Sequence, residues 1–522
     1  MSPEDKPNYD EERYDRQIRL WGQKGQDLLK SSSVLVVGMT IASLEAAKGL
    51  ILAGCRNITV VSINKNSTTE KKEKNYQNFF MTIADLRELN PSVNVDGIHS
   101  FQNYAELEQN LENSENNQFS SIIISDTTFT VDELLSLKNH FNVNNLIILT
   151  SIGQIGYMRL ILNDSGFYCE NTHDEYKKPD MRLENPRPEY LSLVKESAAK
   201  LSKYDKKDEP DSIAYEKVLD TIPFPILISI VFEEDGLRTS SDSTKTLNEI
   251  KDLLRSRLKR LSENDHENVR QAIDSVHKYV QKSPEAEKSE IISKIDAFLS
   301  KSHSSTLLTE YLNTIKDYIL KFNYPPICSK LDDMASSTEN YITLQNLYQQ
   351  FAEQDIQQFM KMFREQYGQN YVNEGSVDLE RQLRELLKNC QNFDFITCSD
   401  FSKEFSPESF PIKNESDLEN FKISDWQNIK IWYLFIRKYV YKNCAPPELS
   451  SGNPNLLKLP ENYQEEFDRY KDTEFHPVAA IIGNLASQEC IKLITGQYVP
   501  IKGTLIYDGI QGVCSVFEDI FE

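Results

Sequence analysis

Two short stretches near the amino terminus carry residue types suited to phosphate chemistry. Tyr14-Asp15-Arg16-Gln17-Ile18-Arg19-Leu20-Trp21-Gly22 sets two arginines, an acid and two aromatics within nine residues. A guanidinium is planar and permanently charged, so it matches phosphate oxygens and can be supplied to a site on another chain. The same residues also suit a surface helix, with Ile18, Leu20 and Trp21 packed and both arginines solvated or paired with Asp15. Chemistry alone favours that plainer reading.

The second stretch is Gly38-Met39-Thr40-Ile41-Ala42-Ser43. It lies where a nucleotide-binding βαβ unit places a glycine-rich turn, so that backbone amides at a helix N-terminus can approach phosphate closely. Only the first glycine of a GxGxxG pattern is present. Thr40 puts a branched side chain where close approach is needed, and Ser43 replaces the helix-packing glycine. An acid should end the next strand and bind ribose hydroxyls, but that strand closes on Ser62-Ile63-Asn64. Gly38, Thr40 and Ser43 therefore read as a degenerate nucleotide loop, with Ser62 and Asn64 at the lost ribose-acid positions.

The elements around these residues form an α/β pattern. Ser33–Gly38 is a β-branched run, Ile41–Leu52 has helical spacing, Gly54 can stop that helix, and Asn57–Ile63 is a second buried strand. Ser121–Ser125 and Leu146–Thr150 add strands, alternating with helical stretches at Phe79–Leu89 and Val131–Phe141. Beyond about 170 the pattern becomes helical. Leu247, Ile250, Leu254, Leu258 and Leu261 form one stripe, and Val269, Ile273, Val276 and Val280 another, as expected of packed helices. The α/β character returns in Pro477–Thr495, a helix with apolar residues Val478, Ile481, Ile482, Leu485 and Leu493. Its small residues Ala479, Ala480, Gly483 and Ala486 leave room for a close neighbour. Strands are expected at Gln497–Ile501, Thr504–Tyr507 and Val513–Phe517. The predicted organisation is a Rossmann-like domain in two parts, 1–170 and 446–522, interrupted by a helix-rich insertion, 171–445.

The 522 residues suit two to four domains. A net charge of −22 disfavours a nucleic-acid partner. No apolar stretch approaches the roughly 20 residues that span a bilayer, and the N-terminus lacks signal- or transit-peptide character. Cytoplasm, nucleus or both are the expected locations. Eight scattered cysteines form no CxxC pair, which points to neither a disulfide framework nor a metal site. His476 could be an acid/base residue, but a structural place ahead of Pro477 is the simpler reading.

At these motifs the chain resembles the activating-enzyme family for ubiquitin-like modifiers, and within it the regulatory subunits of the neddylation (Rub/Nedd) branch. YDRQIRLWG at Tyr14–Gly22 is similar to the opening of the non-catalytic half. SIGQIGYMRL at Ser151–Leu160 and DMRLENPRPE at Asp180–Glu189 resemble the segments leading out of the first α/β half. LDDMASSTENYITLQNLY at Leu331–Tyr348 and HPVAAIIGNLASQECIKLIT at His476–Thr495 complete the likeness. The resemblance implies an adenylation-type fold and a heterodimer whose catalytic subunit uses ATP and magnesium to adenylate the modifier before capturing it as a thioester. It implies no cofactor on this chain, and Arg16 reaching in trans to the partner's ATP phosphate. The modifier itself is an implied partner, with the cognate conjugating enzyme a further candidate. Active halves carry a glycine-rich loop, strand-end acids and an arginine- and lysine-bearing segment. Here those places hold Met39–Ser43, Ser62 and Asn64, and the run Asn64–Asn78 ahead of Phe79-Phe80. Two other readings stay open: an interaction scaffold on an inactive Rossmann fold, and a SUMO-type subunit, which would lack the large helical insertion.

Overall fold

In a computed structural model the described residues are 9–63, 82–101, 104–112, 118–125, 131–140, 143, 145–162, 167–170, 182–183, 185–204, 212–235, 247–258, 266–280, 284–301, 306–327, 331, 333–371, 376–396, 461–470 and 473–517. The chain divides into two compact units, Met1–Glu170 with Asp394–Glu522, and Asn171–Phe393. The return to the first unit is made where Phe393–Ile396 pairs with Phe167–Glu170, the strand on which the chain left it. That return falls at Asp394, ahead of the 445 expected from the helical pattern, and most of the stretch between lies outside the described residues.

The first unit is built on an eight-stranded sheet. Strands β1 (Ser33–Val37), β2 (Asn57–Ile63), β3 (Asn94–Phe101), β4 (Ser121–Ile124) and β5 (Asn145–Ile152) run parallel in the order β5-β4-β1-β2-β3. Both faces of β1 are covered: Val34 and Val36 join one hydrophobic core, Leu35 and Val37 the other. That explains its unbroken apolar run, since a strand buried on two faces has no solvent side to alternate with. With Phe167–Glu170 as β7 and Phe393–Ile396 as β8, the sheet is extended by β6 (Ile155–Leu162), β9 (Thr504–Asp508) and β10 (Val513–Phe517), all antiparallel to their neighbours. The carboxyl-terminal tail thus completes the amino-terminal sheet, as the sequence predicts.

Two details differ from the sequence reading. Gln497–Ile501 is not a ladder strand. Tyr498 has a positive φ of 63°, and the segment instead wraps the preceding helix end: Ile501 N–H donates to Glu489 (2.7 Å), and the Val499 carbonyl accepts from Lys492 Nζ (3.3 Å). In the closing helix, His476–Thr495, Ile481 faces outward, while Ala479, Gly483, Ala486 and Cys490 are buried. The buried small residues let it lie against the Ile41–Ala53 helix. A Cβ on Gly483 would come within 2.3 Å of the Ala42 carbonyl oxygen, so any side chain there would drive the two backbones apart. Ile41–Ala53 is accordingly buried nearly all round rather than along one stripe.

The second unit is helical. Ile250, Leu254 and Leu258, and Val269, Ile273 and Val276, point into one shared core with Tyr190, Leu227 and Tyr348; Leu261 and the Val280 side chain lie outside the described residues. Within it, Asp355 accepts from Arg182 Nη2 (2.8 Å), Arg187 Nη2 and the Ile327 amide (3.0 Å). Both arginines also lie over aromatic rings, Arg182 over Tyr324 and Arg187 over Phe351. Among the described residues no helix is long and apolar enough to cross a membrane.

Candidate functional site

The carboxyl ends of the parallel strands converge on the turn after β1, where doubly wound sheets bind ligands at the reversal of strand order. Gly38 has φ 106° and its N–H donates to the Val61 carbonyl (2.8 Å). That left-handed backbone is why this one glycine is required. Thr40 caps the helix: its Oγ1 accepts from the Ser43 amide (3.2 Å), and the Thr40 amide donates back to Ser43 Oγ (3.0 Å). Ser43 Oγ, fully buried, donates in turn to the Gly38 carbonyl (2.9 Å). The two side chains that break the glycine pattern therefore form a capping box that consumes groups a phosphate cradle would keep available.

The remaining free amides are also taken. The first amides of a helix have no partner within it and present partial positive charge. Here the Ile41 amide donates to Glu474 Oε2 and the Ala42 amide to Glu474 Oε1 (3.4 Å), while Ser151 Oγ donates to Oε1 (3.1 Å). The residue as a whole is only partly buried, but burial of its carboxyl group pushes the pKa up to about 7, against the lowering effect of those three hydrogen bonds. Glu474 is not recognisable from the sequence because it sits 433 residues from Ile41; its one local signal is an acid standing just ahead of the closing helix. Ser62 is buried at the end of β2 and offers no charge to a ribose. Asn64 and the run to Asn78 lie outside the described residues. The residues present do not fit a nucleotide phosphate. Thr40→Gly should therefore leave the isolated chain without tight magnesium-ATP binding in titration calorimetry, because Glu474 still holds the amides; tight binding would show that the carboxylate yields readily.

Arg16 lies on the opening helix, Tyr9–Ser31, which breaks at Gly22 (φ 74°). Buried Tyr14 anchors the helix, its hydroxyl accepting from Asn90 Nδ2 (2.8 Å). Trp21 anchors it again: Nε1 donates to Gln26 Oε1 (3.1 Å), and the Trp21 carbonyl accepts from Gln497 Nε2 (2.7 Å). Leu20, which the plainer sequence reading packs, is 57% exposed; its carbonyl accepts from Tyr498 Oη (3.0 Å). The arginines separate. Arg19 pairs with Asp15 one turn away (3.0 Å), whereas Arg16 is exposed and has no ion pair or hydrogen bond among the described residues. Of the motif's two arginines, the anchored helix thus leaves Arg16 without a partner among the described residues.

The other described candidates sit in the following settings. His476 Nε2 lies 3.5 Å from buried Glu45, which also pairs with Lys48. Cys55, Cys169, Cys390 and Cys490 are buried free thiols and Cys514 is exposed; burial pushes Cys55 to about 11 and Cys490 to about 12, opposite to an activated nucleophile. Cys328, Cys398 and Cys444 lie outside the described residues. Among the described residues no group of three His, Cys, Asp or Glu side chains could hold a metal ion.

This sheet order, with its turn after β1 and its antiparallel closure by the tail, defines an adenylation-type α/β protein. A model of the ThiF family matches residues 14–518, and the chain belongs to that family. Over nearly its full length it is similar to proteins named NEDD8-activating enzyme E1 regulatory subunit. The one from Drosophila melanogaster is 27% identical, with 95% of each chain covered. That from Gallus gallus is 25% identical over 97% of this chain and 98% of its own, and that from Saccharomyces cerevisiae is 24% identical over 97% and 100%. The likeness to neddylation subunits read from the motifs is borne out.

Proposed function

We propose that this chain is the regulatory subunit of a two-chain activating enzyme for a NEDD8-type modifier, and that it supports adenylation and thioester formation on a separate catalytic subunit. The observation that carries this reading is the contrast between the two phosphate-suited stretches. The chain's own helix N-terminus is closed by Thr40, Ser43 and Glu474, while Arg16 stands exposed on an anchored helix. A subunit that keeps the fold but gives up its nucleotide can still lend charge to a neighbour's site. ATP and magnesium then belong to the catalytic subunit, and Arg16 acts in trans on the phosphate held there. The partners are that subunit, the modifier and, on the thioester side, the cognate conjugating enzyme.

The test is modifier-dependent ATP–pyrophosphate exchange by this chain alone, by the catalytic subunit alone, and by the two mixed. Exchange well above the sum of the separate chains is expected only in the mixture. Exchange by this chain alone would place a working nucleotide site here and overturn the proposal.

A further inference from the structure

The segment that enters the closing helix does more than connect elements. Running from Glu461 to Glu474, it is tied across the carboxyl edge of the sheet at four places. Tyr463 Oη donates to Asp508 Oδ2 (2.5 Å), at the end of β9. Glu466 Oε1 accepts from the Gln154 amide (3.0 Å), in the turn between β5 and β6. The Gly153 amide donates to the Thr473 carbonyl (3.2 Å). Last comes Glu474, whose two carboxyl oxygens span the Ile41 and Ala42 amides, one of them also taking Ser151 Oγ. Every tie lies within the first unit, and the final one places two oxygens on one carbon where a doubly wound fold receives the oxygens of a phosphate.

We infer that Glu474 is a tethered substitute for a nucleotide phosphate: its carboxyl group ligates the helix N-terminus from within the chain and fastens the carboxyl-terminal part of the unit to the first βα turn. In a nucleotide-binding relative of this fold, bound phosphate would supply partners for the same amides only while ligand is present. Here the partner is covalently part of the chain, so its local concentration does not depend on any free ligand and the unit is completed without nucleotide. The contact also explains why the departures from the glycine pattern at Thr40 and Ser43 carry no penalty. The two amides that the capping box does not satisfy, those of Ile41 and Ala42, donate to Glu474, so neither is orphaned. This inference concerns the chain's own completeness and does not depend on the modifier or on Arg16.

The experiment is chemical rescue, read by thermal unfolding of the full chain. Glu474→Ala leaves the Ile41 and Ala42 amides without an acceptor and a small polar space beside them. The expected result is an apparent melting temperature lower by about 5 °C. Sodium formate at 100 mM, compared with sodium chloride at the same ionic strength, should recover at least half of that loss and leave wild type unchanged. An unchanged melting temperature in the variant, or a formate effect that is absent or equal in both proteins, would overturn the inference. If the variant yields no folded chain, the measurement passes to wild type. The Ile41 and Ala42 amides, which an isolated helix leaves unprotected, should exchange with deuterium as slowly as those of β1. Rapid exchange at these two positions would overturn the inference just as surely. Either result is independent of pyrophosphate exchange, so failure here and failure of the regulatory-subunit reading can be told apart.

Discussion

Arg16→Ala should lower the rate of modifier adenylation at limiting ATP by about 10- to 1,000-fold, while the heterodimer stays intact by gel filtration. The magnitude is a few kcal/mol, modest for a guanidinium directed at a phosphate in trans. The structure supplies the reason to separate Arg16 from Arg19. Arg19 is neutralised one turn away by Asp15, in a pair whose side chains are 77% and 53% exposed. Such pairs contribute well under about 1 kcal/mol, so Arg19→Ala should leave adenylation close to wild type. Arg16 has no such pair among the described residues, and its helix is held by Tyr14 and Trp21. The arginine is therefore positioned without being consumed. Arg16→Lys should recover only part of the activity, because an ammonium keeps the charge but loses the planar fork. Wild-type adenylation kinetics in Arg16→Ala at limiting ATP would remove Arg16 from the mechanism and leave this chain a structural partner alone.

Asp355→Ala should cost about 3–5 kcal/mol of stability in urea unfolding of the helical unit. Asp355 is buried, with two guanidinium groups, from Arg182 and Arg187, and the Ile327 amide directed at its two oxygens. Burial, and after it the nearby charge of Asp355, pushes the Tyr318 hydroxyl well above the ordinary tyrosine range. Removing the carboxylate leaves two mostly buried cations facing each other without a counter-charge, and an amide without an acceptor. The loss is larger than the worth of the pair because the uncompensated charge is what costs. Asp355→Asn keeps an acceptor for Ile327 and should fall between. A loss below about 1 kcal/mol for the alanine variant would mean that water reaches both arginines and replaces the acid. Arg182 and Arg187 come from the same stretch, Asp180–Glu189, that carries part of the family resemblance.

The contrast between these two arginine settings shows how far linear reading reaches. The pair of candidate arginines, Arg16 and Arg19, is legible because the whole motif fits in nine residues, whereas the anchor that Tyr14 makes with Asn90 is not. Which of the two arginines is free is not legible either, since that depends on the i,i+4 geometry joining Arg19 to Asp15. The failed glycine loop was equally visible, because Gly38, Thr40 and Ser43 are consecutive in space as in sequence. That Thr40 and Ser43 would form a reciprocal cap was within reach of the same reading, since both are good capping residues three apart.

Local order in the chain determined the α/β alternation of the first unit, the helical stripes of the second, the stops at Gly54 and Gly496, and the loss of a glycine cradle. These follow from backbone preference and hydrophobic period, which act over a few residues. Tertiary structure alone decided that β6 would join the tail strand β9, that Asp355 would collect Arg182 and Arg187, and that Glu474 would close the helix N-terminus. A buried polar group must find a partner wherever the fold brings one within about 3 Å, and no periodicity records a partner several hundred residues away.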